Sequence, residues 1–223
     1  MRRIIKSFVL RTGRVSNRQQ MALDNWVQDY SLPLDQIPWD IPALFGREAK
    51  TIVEIGFGMG TSLFNMAQQA PDTNFIGIEV HLAGVGSLAA DIHDHDLQNL
   101  RLVAHDAVEV FQQQIAPQSL DGVQIFFPDP WHKKRHNKRR LIQPDFVRMV
   151  AERLKPGAFL HCATDWQDYA DHMMSILSAE ATLCNIQPAG QFAPRPDSRP
   201  LTKFEQRGQR LGHGVWDLMF QKI

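Results

Sequence analysis

Acidic residues are missing from the first 18 positions of this 223-residue chain, cysteines number only two, and no apolar run approaches the roughly 18 residues a membrane span requires. Each gap excludes something. Cys162 and Cys184 lie far apart without metal-ligand spacing, which argues against a disulfide scaffold and points to a reduced, cytoplasmic protein. The opening residues lack the apolar centre of a secretory signal, and no membrane partner is expected. Internal repeats and low-complexity tracts are absent as well. The length suits one α/β domain with an arm, enough to bury a substantial core.

Formal net charge is zero, but the charges are segregated. Residues 1–18 carry six Arg or Lys, residues 19–130 carry three against fifteen Asp or Glu, and residues 131–223 carry fifteen against nine. An acidic centre can hold a cationic small molecule while basic flanks hold a polyanion, so two ligands of opposite charge are implied.

One stretch organises the rest. Apolar residues at 123 and 125–127 suit a strand buried on both faces, and Pro128-Asp129-Pro130 cannot continue either a ladder or a helix. Asp129 is therefore presented on a stiff turn at a strand's C-terminal end, the edge at which open α/β sheets bind ligands. Immediately after it, six of the eight positions from Lys133 to Arg140 are Lys or Arg, interleaved with aromatic and imidazole rings. This basic apron suits phosphate contact with some stacking. Lys134, Arg135, Lys138, Arg139 and Arg140, with Arg11 and Arg14 of the arm, are the expected contacts to a polyanion's phosphate backbone. His132 and His136 stand at helical spacing, but the cations around them oppose a metal, and none is expected.

Upstream, Thr51–Ile55 reads as a strand running into Gly56, Gly58 and Gly60 and then a helix from Leu63 to Gln69. Glycines at that spacing let backbone amides approach a ligand and aim a helix N-terminus at it. The spacing is shorter than the dinucleotide fingerprint, and Glu54 just before it would repel a pyrophosphate, so the ligand implied is cationic. The strand Asn74–Glu79 ends in an acid placed to accept from ribose hydroxyls. A third strand, Leu100–Ala104, leads to Asp106, which either accepts from an adenine amino group or caps the next helix.

Helices are expected over 82–92, 144–154 and 167–178, and strands over 158–163 and 215–220. Asp165, after the fifth strand, either caps a helix or faces the cleft. Residues 188–214, rich in proline and glycine, read as a long binding loop. The arm and linker occupy 1–45 and the main domain 46–223.

Taken together, Ser7 to Arg14, Val53 to Gly60, Phe75 to His81, Phe126 to His136, Ala163 to Trp166 and the loop from Thr202 to Gly214 resemble the bacterial tRNA (guanine-N7)-methyltransferase family. The Pro-Asp-Pro-Trp and Thr-Lys-Phe-Glu segments are the specific ones. The resemblance covers nearly the whole chain and implies a class I S-adenosylmethionine-dependent methyltransferase (Rossmann-like) fold. That fold has a mostly parallel seven-stranded sheet with helices on both faces. It further implies methylation of guanine 46 in the tRNA variable loop. By the same resemblance Glu54, Glu79, Asp106 and Asp129 contact S-adenosylmethionine and Asp129 acts in catalysis. Lys133, Asp165, Thr202, Lys203, Phe204 and Glu205 contact the RNA, with Glu205 and Asp165 as candidates for reading the guanine edge. Nothing in the sequence distinguishes a monomer from a homodimer.

Overall fold

The computed structural model describes residues 6–9, 13–35, 38–197, 199–201, 205 and 214–223. Among them run strands β1 (Lys50–Ile55), β2 (Thr73–Glu79), β3 (Leu100–Ala104), β4 (Leu120–Phe126), β5 (Leu154–Thr164), β6 (Leu183–Asn185) and β7 (Trp216–Lys222). They form one sheet in the order β3-β2-β1-β4-β5-β7-β6. The first five are parallel, while β7 runs antiparallel to both β5 and β6. The strand order reverses between β1 and β4, so the segments leaving their C-terminal ends diverge and open a crevice.

Among the described residues eight helices accompany the sheet: α1 (Asn17–Asn25), α2 (Val27–Tyr30), α3 (Ile41–Phe45), α4 (Thr61–Gln69), α5 (Leu82–Asp94), α6 (Ala107–Gln113), α7 (Pro144–Arg153) and α8 (Gln167–Ala179). Alternation along each strand divides the core in two. Ile76 and Ile78 of β2 belong to the cluster that holds Phe111 of α6, Phe146 of α7 and Met173 of α8. Phe75, pointing to the opposite face, belongs with Ala22 of α1, Leu63 of α4 and Leu88 of α5. Both faces of the sheet are thereby covered.

Two regions depart from the sequence reading. Residues 17–45 contain three helices, with Ala22, Leu32, Trp39 and Ile41 buried. Ser16 starts α1 with a capping box, its hydroxyl accepting from Gln19 N while Gln19 Oε1 accepts from Ser16 N. Arg18 then bridges Asp91 (2.8 Å) and Asp94 (2.6 Å), and Trp26 stacks on His93 at 3.9 Å, fixing α1 across α5. The second departure is at the end of α7. Leu154 opens β5 rather than closing the helix, and the sheet register jumps from Leu120↔Leu154 to Gly122↔Phe159. Lys155-Pro156-Gly157 form that irregularity, where a proline and a positive-φ glycine are tolerated.

Close approach also fixes the loop after β1. A Cβ built on Gly84, in the first turn of α5, would lie 2.0 Å from Gly58 O. Gly→Ala in a helix ordinarily stabilises by about 0.5–1 kcal/mol. Here the contact is with backbone, so Gly84→Ala is expected to destabilise by about 1–3 kcal/mol instead, read from the denaturant midpoint. A midpoint at or above wild type would mean the loop yields freely.

Candidate active site

At the C-terminal edge of the parallel strands lies a cavity of about 270 Å³, bounded by Ile55 and Gly56 at the end of β1, Glu79 at the end of β2, Asp106 after β3 and Phe127 to Asp129 after β4. The four strand-end segments read from the sequence meet here. Gly56, Gly58 and Gly60 all have positive φ, and Gly60 is the left-handed residue from which α4 starts. The sharp return they make brings the N-terminus of a nine-residue helix to the crevice.

Glu79 braces that loop. Its Oε2 accepts from Gly58 N (2.9 Å) and its Oε1 from Val80 N (2.6 Å) and His81 N (3.0 Å). Oε1 is filled, while Oε2 keeps one lone-pair direction for a hydroxyl donor. Asp106 caps α6 by accepting from Val108 N (3.1 Å), and its other oxygen faces Lys6 Nζ at 3.5 Å. It thus caps a helix and lines the crevice at once.

Glu54 behaves differently. It is 3% exposed, and its Oε2 has no hydrogen-bond partner among the described residues. Gln124, its register partner on β4, and Ser62, in the first turn of α4, each carry a buried side-chain oxygen equally without a partner there. Three unsatisfied oxygens beside one glycine loop call for donors, and a carboxylate among them calls for a cation. Burial, helped by the nearby Glu79 charge, pushes the Glu54 carboxyl up to about 8. S-adenosylmethionine fits this demand, its ammonium supplying N–H donors and its sulfonium a second positive charge, whereas the pyrophosphate of a dinucleotide would not.

Asp129 is exposed on its turn, held between two residues with left-handed backbones, Phe127 (φ 51°) and Trp131 (φ 48°). Such conformations cost of order 1–3 kcal/mol each in non-glycine residues and persist where surrounding bonds impose them. Phe127 N donates to Ala163 O (2.8 Å), and Trp131 Nε1 donates to Ser7 O (3.0 Å). Ser7 and Phe8 of the arm also border the cavity. The sequence pattern carries no sign of that closure, because it depends on residues more than a hundred positions apart.

Of the apron, Lys133, Lys134, Arg135 and Lys138 are exposed, as is Arg14 of the arm. Lys134–Arg139 form a 3-10 turn. Arg139 lies over the Trp131 ring at 3.9 Å and donates to Phe8 O (3.2 Å). Arg140 has to be taken out of the apron: it is 2% exposed, donates to Pro130 O (2.9 Å), pairs with Asp168 and lies over Tyr169. Its charge is consumed in tying the turn to α8. Partial burial and the surrounding Arg135, Arg139, Lys133 and Lys138 charges hold His136 below its ordinary pKa, favouring a neutral ring. Among the described residues no group of three His, Cys, Asp or Glu is arranged to hold a metal, and no helix is long and apolar enough to cross a membrane.

The two candidate readers of the guanine edge part company. Glu205 is 2% exposed and accepts from both terminal nitrogens of Arg199, at 2.6 and 2.9 Å. Arg199 in turn bonds Asp217 of β7 (2.8 and 2.9 Å), which also meets His161 at 2.7 Å. Burial opposes the Arg199 cation, but the bonds to Glu205 and Asp217 outweigh it and keep its pKa above the ordinary value. Glu205 is thus a counter-ion here, not an open reader. Asp165 is half-buried, makes no hydrogen bond or ion pair with a described residue, and does not cap α8, whose N-cap is Trp166. The capping alternative for Asp165 is excluded. Arg11, Thr202, Lys203 and Phe204 lie outside the described residues.

Comparison with known proteins accords with this arrangement. The family described as "Putative methyltransferase" matches residues 48–218. A tRNA (guanine-N(7)-)-methyltransferase of Legionella pneumophila (strain Paris) is 63% identical over 224 residues, covering 100% of this chain and 94% of that protein. One from Yersinia enterocolitica serotype O:8 / biotype 1B is 56% identical over 222 residues, covering 100% and 92%. Among solved structures, the 16S rRNA methyltransferase KamB aligns with a TM-score of 0.61 at 16% identity, over 84% of this chain and 96% of that one. A 16S rRNA (adenine(1408)-N(1))-methyltransferase mutant with cosubstrate SAM, from Catenulisporales acidiphilia, aligns at 0.56 and 17%, over 86% and 93%. These structural likenesses establish the fold, a class I Rossmann-like methyltransferase architecture.

The Glu54 shift carries a stability consequence. Below about pH 4.5 the carboxyl is neutral in both folded and unfolded chains; above it the unfolded chain ionises while the folded one keeps its proton up to about pH 8. Stability of the ligand-free protein therefore falls across that window, by about 1.4 kcal/mol per pH unit at most. Glu54→Gln removes this loss, so denaturant unfolding without cofactor should show the variant gaining on wild type between pH 5 and pH 8. A difference independent of pH would mean that Glu54 is ionised in the empty crevice.

Proposed function

The chain belongs to the tRNA (guanine-N(7)-)-methyltransferase family, and from that premise we propose that it methylates N7 of guanine 46 in the variable loop of tRNA. S-adenosylmethionine is the donor and N7-methylguanosine the product, formed in the cytoplasm, where tRNA is found. The observation that carries this reading is a single arrangement: an exposed acid on a strained turn, Asp129, at a crevice bordered by Ile55 and Gly56, next to which Glu54 is buried with its Oε2 lacking a partner among the described residues.

Bound in the crevice, the cofactor supplies a methyl group made electrophilic by its sulfonium. Glu54, with Gln124 and Ser62, would receive its donors; Glu79 and Asp106 would accept from ribose and adenine. Guanine N7 carries an in-plane lone pair and no proton, so no base is required. Catalysis then rests on holding N7 in line at near-attack distance and on favouring the positive charge that arrives on the ring. Asp129 is assigned the second task. Asp165 would accept from guanine N1–H and its amino group, a donor pair that adenine does not present. Position 46 lies in folded RNA, so the base would turn outward into the site while Lys133, Lys134, Arg135, Lys138 and Arg14 hold the surrounding phosphates.

The direct test incubates pure protein with S-adenosylmethionine and an unmodified tRNA transcript and maps the methylated nucleotide. N7-methylguanosine at position 46 is the expected result; methylation elsewhere would refute the assignment. Asp129→Ala should lower turnover by roughly a hundredfold or more with cofactor affinity little changed, and equal losses in both would reduce Asp129 to a cofactor ligand. Replacing Lys134, Arg135 and Lys138 together with Ala should weaken tRNA binding and flatten its salt dependence, by up to about 0.9 in the log–log slope for each phosphate no longer neutralised. An unchanged slope removes the apron from the interface.

A further inference from the structure

Trp166 is the one Phe, Tyr or Trp among the described residues whose side chain stays exposed, with a relative exposure of 40%. Its place is specific. The ladder pairs Phe126 of β4 with Ala163 of β5, so Asp129 and Trp166 each stand three residues beyond partnered positions on strands about 4.8 Å apart. Asp165, which bonds no described residue, immediately precedes it. His132, three residues after Asp129, meets the indole at 4.3 Å between centroids with planes 76° apart, a contact that sets the tilt of the ring. Exposed Lys133 and Lys134 continue from His132. An indole is therefore held in a defined orientation, partly in water, on the rim between the methyl-transfer turn and the cations of the apron.

We propose that Trp166 is a substrate-binding residue whose indole stacks on the target guanine once that base has left its own stack. The inference rests on the functional reading above and adds what that reading leaves open. A carboxylate that accepts from N1–H and the amino group fixes a guanine within its plane but leaves both faces in water. An aromatic plane beside it covers one face and leaves the N7 edge free for attack. Methylation makes the ring cationic, and an indole face attracts a cation more strongly than a neutral purine. The contact thus strengthens as the methyl group arrives, favouring the transition state over the bound substrate.

Trp166→Leu and Trp166→Phe separate stacking from bulk. With unmodified tRNA transcript and S-adenosylmethionine, Trp166→Leu should lower kcat/KM for tRNA roughly tenfold to a hundredfold. Trp166→Phe should recover most of that loss. Calorimetric affinity for S-adenosylmethionine and the melting temperature should match wild type in both, because the side chain lies outside the cofactor crevice and the core. A Leu variant with wild-type kcat/KM, equal impairment of Phe and Leu, or a parallel fall in cofactor affinity would each overturn the proposal. A wild-type protein that leaves the transcript unmethylated would overturn the functional reading itself, and the stacking role with it; the other failures leave that reading standing.

Discussion

Removing an acid from water without giving it a partner is among the costlier acts a protein interior can perform, and Glu54, its carboxyl pushed up to about 8, is buried with an Oε2 that has no partner among the described residues, as have two further oxygens. Neighbouring elements leave that deficit in place. The glycine loop leaves room above β1. Glu79 commits most of its acceptor capacity to holding that loop in shape. Gly84 lets α5 close against it. On the function proposed above, such a deficit would discriminate by charge, favouring ammonium and sulfonium over phosphate.

The turn after β4 is built on the opposite principle. Its acid, Asp129, is left in solvent, and the strain is stored in the backbone on either side of it. Ion pairs made by buried guanidinium groups hold that turn and its surroundings. Arg140 ties the segment after Asp129 to α8, and Arg199 ties residue 205 to β7 while facing the rings of Phe126 and Phe127 at 5.9 and 5.6 Å. Breaking such pairs is strongly destabilising because one buried charge is left alone, so they specify position more than they add stability. Basic residues a few positions apart thus differ in role, some exposed to solvent and one facing the interior.

Legibility followed the range of the determining interactions. The strands ending at Ile55, Glu79, Ala104 and Phe126, and the turns after them, were readable because apolar runs, glycine spacing and Pro-Asp-Pro are local signals. Helix α1 was equally local: Ser16 and Gln19 form a capping box, a signal present in the sequence but obscured by the surrounding positive charge. Arg140 and Glu205 were not readable in this way. Charge density describes a segment's average, whereas Arg140 turns inward because Asp168 and Tyr169, some thirty residues on, receive it. The start of β5 was hidden for a related reason: Lys155-Pro156-Gly157 resembles a helix stop in isolation, and only pairing with β4 makes it an irregular strand entry.

The central claim is that the crevice is prepared for a cation by an acid kept protonated in its absence. Calorimetric titration of S-adenosylmethionine at pH 7, in two buffers of different ionisation enthalpy, counts the protons released on binding. If the claim holds, wild type releases up to about one proton more per cofactor than Glu54→Gln. Equal release from the two proteins would contradict it.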